Sequence, residues 1–291
     1  MKKIGESCVF TRSLAPGHSL YPEKLQEYLT DPRRIYYRGD LTLLGTPLLA
    51  IVGSRKCTAY GKNVAEGLAR RAAELGVTVI SGLARGIDSA AQRSVLQAGG
   101  RTVAVVATGC DLCYPAENRD LAGRIASDHL LLSEYPDGTE ARSFYFPLRN
   151  RLISALADAV VIVEAGTRSG SLITAECAAE HGKILYAVPG NITSASSVGT
   201  NKLIAESVPP LLVFDDLFRE MGIPIRADSL CRELGKEEEM VLNCVLPGGE
   251  MRIEEIIRRT ELTPKTVNGI LTVLEMKGLV FCEMGKVMIA K

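Results

Sequence analysis

From Leu48 onward the chain alternates between two patterns of apolar and polar positions. Short apolar runs, Leu48 to Val52, Val77 to Ile80, Thr102 to Val106, Leu130 to Ser133, Ala159 to Val163 and Ile184 to Ala187, each have the length of one strand. Between them lie segments with helical spacing: Gly61 to Leu75, Gly86 to Ala98, roughly Asn118 to Ala126, Leu148 to Ala157 and Ser171 to His181. Strand and helix alternating this often predict an α/β fold, an extended Rossmann-like and mostly parallel sheet with helices on both faces. Ligands of such sheets bind in the crevice outside the carboxyl ends of the strands, so the loops that follow the strands are the ones to inspect.

The pattern also divides the chain. Residues 1–46 have only one helical stretch, Glu23 to Leu29, between the breaks at Tyr21-Pro22 and Asp31-Pro32, and are expected as an N-terminal lead-in arm. The sheet domain is expected over 47–218, and residues 219–235, loosened by Met221-Gly222-Ile223-Pro224, as a linker. Over 236–291 the pattern predicts helices at Glu237 to Val245, Ile253 to Arg259 and Pro264 to Lys277, then a hairpin around Met284-Gly285-Lys286. Thr263 is the natural N-cap of the third helix and Pro264 suits its first turn. Three helices and a hairpin make a small C-terminal winged-helix domain.

Composition sharpens this picture in two places. Hydrophobic residues are 46% and charged residues 23% of 291, the balance of a globular chain. Lys plus Arg and Asp plus Glu are both 34, so any basic site must be local. Met1-Lys2-Lys3-Ile4-Gly5-Glu6 has no sustained apolar stretch behind it, and the strongest run, near Val160 to Val163, is strand-sized, so no membrane segment and a cytoplasmic location are expected. Eight cysteines are scattered; Cys110 and Cys113 form one CxxC, which without a second pair or a nearby histidine is read as two buried small hydrophobes and not a metal site. Neither metal nor cofactor is expected.

Five loops at strand carboxyl ends are rich in small residues: Gly53-Ser54-Arg55, Ser81-Gly82-Leu83-Ala84-Arg85-Gly86, Thr108-Gly109, Gly166-Thr167-Arg168-Ser169-Gly170-Ser171 and Pro189-Gly190-Asn191. Glycine admits an anion close to the backbone, helix N-termini present free N–H groups, and hydroxyls add donors, so together the loops read as a phosphate-binding rim. For any one loop the alternative is that a tight strand-to-helix turn needs glycine anyway. Arg55, Arg85 and Arg168 favour binding, because no turn requires arginine.

The segment Arg142-Ser143-Phe144-Tyr145-Phe146-Pro147-Leu148-Arg149-Asn150-Arg151 interleaves aromatics with arginines and has no acid. Rings stack on unpaired bases while guanidinium groups neutralise phosphates, although Phe144 or Phe146 taken singly fits equally well as a plug at the sheet edge. No catalytic motif is present. His18, His129 and His181 are isolated, with His181 at a helix end where a cation is favoured. Asp88, Asp158, Glu164 and Glu176 are candidate acids or bases, but single carboxylates more often cap helices or pair with arginine.

Several long motifs carry a resemblance. Ile51-Val52-Gly53-Ser54-Arg55, Tyr60-Gly61, Ser81-Gly82-Leu83-Ala84-Arg85-Gly86-Ile87-Asp88, Tyr114-Pro115-Ala116-Glu117-Asn118, Ser133-Glu134-Tyr135-Pro136, Phe146-Pro147-Leu148-Arg149-Asn150-Arg151, Glu164-Ala165-Gly166-Thr167-Arg168-Ser169-Gly170-Ser171-Leu172-Ile173-Thr174-Ala175 and Ala187-Val188-Pro189-Gly190 resemble, in order, the DNA processing protein A (DprA/Smf) family. The likeness covers about residues 20–218. It implies a non-catalytic, homodimeric protein that binds single-stranded DNA in a basic pocket, protects it, and loads the RecA recombinase onto incoming strands in natural transformation.

By motif position, the resemblance implies that Arg55 and Arg85 hold phosphates, Phe146 stacks on a base and Arg149 and Arg151 line the pocket. It also implies that Ser169 and Gly170 give loop contacts and that Lys202, after Gly199-Thr200-Asn201, adds a cation. Ser54, Gly82, Gly109, Asn150, Arg168 and Ser171 complete the expected binding set.

Two departures stand out. Family members often carry an N-terminal sterile-alpha-motif-like or helix-hairpin-helix-like domain, in whose place this sequence has the arm, and the family's usual histidine after Asp-x-Ala-Ala is Gln92.

The C-terminal segment resembles the winged helix of longer members, with Leu274-Glu275-Met276-Lys277-Gly278-Leu279-Val280 as its signature and Lys265, Thr266, Asn268 and Lys277 as candidates to face a duplex groove. Its net charge of −1, eight cations against nine acids, argues against strong phosphate-driven duplex binding, and protein docking fits the segment equally well. The glycine-rich loop before the 171–181 helix is also similar to that of lysine-decarboxylase-like nucleotide phosphoribohydrolases. Those enzymes carry a catalytic glutamate where this chain has Thr174.

Overall fold

The computed structural model describes residues 2–3, 10–225, 235–245, 249–276, 279–283 and 285–289. They fall into two compact units, Met1–Pro224 and Ile225–Lys291. In chain order the first holds β1 (Lys2–Lys3), β2 (Arg12–Leu14), α1 (Glu23–Tyr28), β3 (Ile35–Gly39), β4 (Leu48–Val52), α2 (Ala59–Glu74), β5 (Thr78–Ser81), α3 (Ile87–Gln97), β6 (Thr102–Val105) and β7 (Leu112–Cys113). It continues through α4 (Arg119–Asp128), β8 (Leu130–Ser133), α5 (Tyr145–Leu156), β9 (Ala159–Ile162), α6 (Gly170–Glu180), β10 (Ile184–Ala187), α7 (Val198–Ala205) and α8 (Phe214–Glu220).

The six predicted strands form one sheet, in the order β10-β9-β4-β5-β6-β8, all parallel. Every residue of β4, β5, β6, β8 and β9 is buried, which is why these strands read as unbroken apolar runs and not as alternating ones. The chain runs outward from β4 through β5 and β6 on one side and from β9 to β10 on the other. The order therefore reverses at the β4–β9 pair, where Val52 lies opposite Ile162. A crevice must open above that pair, because the connections leave it in opposite directions.

The sheet does not stop at β8. β3 adds antiparallel to β8, with Tyr36 opposite Ser133, and β2 adds antiparallel to β3. Residues 12–39, expected as a lead-in arm, are therefore the sheet's antiparallel edge. Leu14, Tyr21, Leu25, Leu29, Ile35 and Tyr37 are buried in the same core as Leu132, Leu152 and Leu156. Each such fully buried aliphatic side chain contributes about 1.5–3 kcal/mol, so the segment is a structural part of the first unit. At the other end α8 carries the unit past residue 218. Phe218 is fully buried, and Asp215 accepts from Arg71 of α2 at 2.7 and 3.0 Å.

Three carboxylates named from the sequence turn out to be structural. Glu164 accepts from the Thr58 backbone N–H at 2.8 Å and from its hydroxyl at 2.5 Å, beside the N-terminus of α2 that Thr58 caps. The carboxylate leaves no room for a side chain at Gly61, whose Cβ would lie 2.4 Å from its carbon. Asp158 accepts from Leu48 N–H at 2.8 Å and pairs with Lys24 at 2.6 Å. Asp88, buried, accepts from Gly82 N–H at 3.1 Å.

At His181 the surroundings oppose the pull of the helix end on a cation. Burial first, and Lys183 next, hold its pKa below the ordinary value, and its Nδ1 lies 2.9 Å from the Ser154 hydroxyl, with the ring against Tyr28. A half-buried imidazole beside another cation is better neutral, despite the helix end. Cys110 and Cys113 are free and buried; burial pushes both thiols up, Cys113 to about 11, so neither is a ready nucleophile.

The second unit has α9 (Lys236–Val245), β11 (Glu250–Arg252), α10 (Ile253–Thr260), α11 (Pro264–Met276), β12 (Val280–Glu283) and β13 (Lys286–Ile289). Val241, Ile256, Val267, Leu271, Leu274, Val280 and Val287 form its own core. Thr263 accepts from Thr266 N–H at 3.2 Å, the cap expected before Pro264. β11 joins the hairpin to give a sheet of order β11-β13-β12, completing a winged helix. The predicted helix end at Lys277, the hairpin tip at Met284 and most of the expected linker lie outside the described residues.

Candidate nucleic-acid interface

Above the β4–β9 reversal lies a cavity of about 720 Å³. Its walls come from the loop after β4 (Ser54, Arg55, Lys56), the start of α5 (Phe146, Arg149, Asn150) and the first turn of α6 (Ser169, Gly170, Ser171), with Asp88 and Tyr114 completing it. Three cations, Arg55, Lys56 and Arg149, meet one acid, Asp88, so a chain without net charge nevertheless concentrates positive charge here.

α5 begins three residues earlier than the expected Leu148, because Pro147 falls in the helix's first turn, where its missing N–H costs nothing. Phe146 is thereby lifted onto the cavity wall. The Arg55 guanidinium sits 4.8 Å from the centre of its ring, and Tyr114 packs at 5.5 Å and 52°.

Arg149 is different in kind. Only 4% exposed, it donates to the Gly82 carbonyl at 2.6 Å and to the Val105 carbonyl, tying the ends of β5 and β6 to α5. Burial lowers its pKa to about 10, opposed by Asp88, so it stays charged at neutral pH. It also explains Gly82. A Cβ there would stand 2.4–2.6 Å from the guanidinium, so this glycine makes room for Arg149, not for a ligand.

Gly109 is likewise filled from within, its Cβ direction blocked at 2.6 Å by the Pro136 carbonyl. Gly170 is the contrast. Nothing lies within 4 Å of a Cβ built there and its φ is ordinary, so the protein's own packing gives no reason for glycine. Open space at the N-terminus of an eleven-residue helix is where an anion can approach the backbone. Ser169 caps that helix, its hydroxyl 2.7 Å from that of Ser171, and Asn150 donates to the Gly170 carbonyl at 3.0 Å.

Of the expected binding set, Ser54, Arg55, Phe146, Arg149, Asn150, Ser169, Gly170 and Ser171 converge on the cavity. Gly82 lies beneath Arg149, and Gly109, Arg85, Arg151, Arg168 and Lys202 are outside the lining. Arg85 pairs with Glu117, Lys202 with Glu206 at 3.5 Å, and Arg151 holds Glu134 through both carboxylate oxygens at 2.5 and 2.6 Å. Arg168 is exposed. Lys56 and Tyr114 were not in the expected set; Lys56 was legible as a second cation next to Arg55, whereas only the fold brings Tyr114 to Phe146. Among the described residues no group of His, Cys, Asp or Glu is placed to hold a metal, and no helix is long and apolar enough to cross a membrane.

A parallel sheet with a cation-lined pocket at its switch point, followed along the chain by a winged helix, defines a protein of the Rossmann-like α/β class. More particularly, the chain belongs to the DNA recombination-mediator protein A family, which matches residues 12–222, while the DprA winged helix domain matches residues 226–286. The DNA processing protein DprA of Streptococcus pneumoniae is 43% identical over 204 residues, spanning 69% of this chain and 71% of that protein. That of Bacillus subtilis is 40% identical over 202 residues, 69% and 68% of the two chains.

The X-ray structure of DprA from S. pneumoniae superposes with a TM-score of 0.69 at 40% identity, covering 74% of this chain and 75% of that one. The DNA processing protein A of Helicobacter pylori, solved for its single-stranded DNA binding mode, superposes with a TM-score of 0.66 at 32% identity, covering 72% and 95%. A DNA-processing role follows from membership.

Proposed function

We propose that this protein binds single-stranded DNA in the cavity above the β4–β9 reversal and acts, without catalysis, as a recombination mediator. In this reading it is a cytoplasmic homodimer that protects incoming strands in natural transformation and loads the RecA recombinase onto them. The observation that carries the proposal is the convergence of Arg55, Lys56, Phe146 and the open Gly170 on one cavity, joining phosphate ligands to an aromatic face. The single-stranded DNA binding mode of the H. pylori relative supports the choice of polymer. In this reading Arg85, Arg151, Arg168 and Lys202, outside the cavity lining, serve along the strand's path beyond it.

The lining contains no His, Cys or Glu, and its one carboxylate, Asp88, is taken up by Gly82 N–H and the field of Arg149. Thr174 lines the cavity at the position where phosphoribohydrolases hold their glutamate, and the exposed Glu176 does not line it, which favours binding over that enzymatic alternative.

Competition among oligo-dT, duplex and mononucleotide is the direct test, with oligo-dT expected to win. Arg55→Ala is expected to weaken oligo-dT binding by about 1.5–3 kcal/mol. The same change is expected to reduce the log–log salt slope by about 1. Because Arg55 is exposed, its urea midpoint is expected to stay put. Unchanged affinity in both Arg55→Ala and Phe146→Ala would remove the cavity from consideration.

A further inference from the structure

We infer that Phe144, backed by Tyr145 and Tyr135, is a second stacking platform that takes unpaired bases of the strand beyond the cavity. The inference rests on the single-strand reading of the cavity and extends it to a surface outside the lining. It begins with Phe146. One face of that ring carries the Arg55 guanidinium and Tyr114 packs against it at a tilt, so Phe146 is already partly engaged within the protein.

The ring two residues earlier is in the opposite state. Phe144 is 55% exposed, although the chain has only six phenylalanines and buries Phe218 completely. It meets Tyr145 edge-on at 4.5 Å, and Tyr145 lies 4.1 Å from Tyr135 in the loop after β8. The exposed ring is thus the outer member of a three-ring aromatic cluster that reaches back to the loop after β8. A rigid aromatic face needs little further ordering when it binds.

Its position and surroundings select the occupant. Ser143 and Phe146, on either side in sequence, both line the cavity, so Phe144 stands at its lip and a strand leaving the cavity meets it next. Leu148, one helical turn on, is 37% exposed and continues the apolar surface. Arg142 is exposed two residues before the ring, and residues 141–151 hold no acid. An open ring beside an arginine at the lip of a phosphate-binding cavity matches a base and its phosphate, because every base offers a π-face whatever its identity.

The test is fluorescence anisotropy on the full chain with oligo-dT of increasing length, comparing the parent protein with Phe144→Ala, Phe144→Trp and Arg55→Ala. Phe144→Ala is expected to lower affinity about tenfold for long oligomers and leave the shortest binding oligomer unchanged. Phe144→Trp is expected to restore the long-oligomer affinity, and an oligomer that is abasic beyond its first few nucleotides is expected to abolish the difference between parent and Phe144→Ala. Equal affinity of Phe144→Ala and parent at every length overturns the platform. An equal loss at every length, abasic strands included, overturns it too, since that is the signature of a general defect. If Arg55→Ala binds normally while Phe144→Ala shows the length-dependent loss, the platform stands and the cavity reading fails.

Discussion

Arg149→Met is expected to destabilise the protein by about 3–5 kcal/mol, read as a fall in the urea midpoint at constant slope. The reason lies in what the guanidinium holds. It donates to the carbonyls of Gly82 and Val105, and its charge is the main influence favouring ionised Asp88, whose pKa burial pushes up. Methionine fills much of the volume but returns neither the two charge-assisted bonds nor the compensation of a buried carboxylate. Adding Asp88→Asn to the Met variant is expected to recover part of the loss. A cost under about 1 kcal/mol would show that Arg149 is dispensable to the fold. The companion expectation concerns DNA: any binding lost in Arg149 variants is to be judged only at denaturant-free stability, since the cavity floor itself depends on this residue.

Arg151→Ala is expected to cost about 3 kcal/mol at pH 7, for a related reason. Glu134 has a side chain only 3% exposed and gives both oxygens to Arg151. Even so paired, burial raises its pKa above the ordinary 4.5, with Arg151 pulling the other way. An acid whose folded pKa lies above its unfolded value contributes stability that is complete below 4.5 and is lost as pH rises through the folded value. Removing Arg151 raises the folded value further and widens that window. The difference between parent and variant is therefore expected to be greatest at pH 7 and to shrink as the pH is lowered toward 4.5, where protonated Glu134 no longer needs its partner. Urea unfolding of both proteins at pH 7 and pH 5 measures it; a gap that does not change with pH would contradict the assignment.

The two predictions also show where the sequence was legible and where it was not. The parallel strands were plain because burial on both faces makes them continuous apolar runs. The antiparallel edge was harder. Arg12–Leu14 is three residues long, and the five of Ile35–Gly39 carry only a faint alternation of buried and half-buried positions between turn residues. α7 and α8 are too short for their periodicity to stand out, and Pro209-Pro210 between them suggests loop.

At the site, the arginines of residues 142–151 look alike as letters, yet the chain gives them different work. The clue was spacing: Arg149, Leu152, Ile153 and Leu156 fall at i, i+3, i+4 and i+7, which places Arg149 on the buried stripe of α5. Gly82 and Gly170 are equally indistinguishable in sequence, because what separates them is the presence or absence of a guanidinium in the space beside them.

The antiparallel edge has a bearing on how the protein is made. Tyr36 takes its place only opposite Ser133, so once made this segment must wait about a hundred residues for the strand that receives it. At the usual pace of synthesis that interval is several seconds or more, far longer than the roughly microsecond collapse of a short chain. Leu14, Leu25 and Ile35 spend it without their final neighbours, open to chaperones or to a second nascent copy. Substitutions in β8 are thus expected to lower the yield of folded protein by stranding residues 10–46, even where the finished sheet tolerates them.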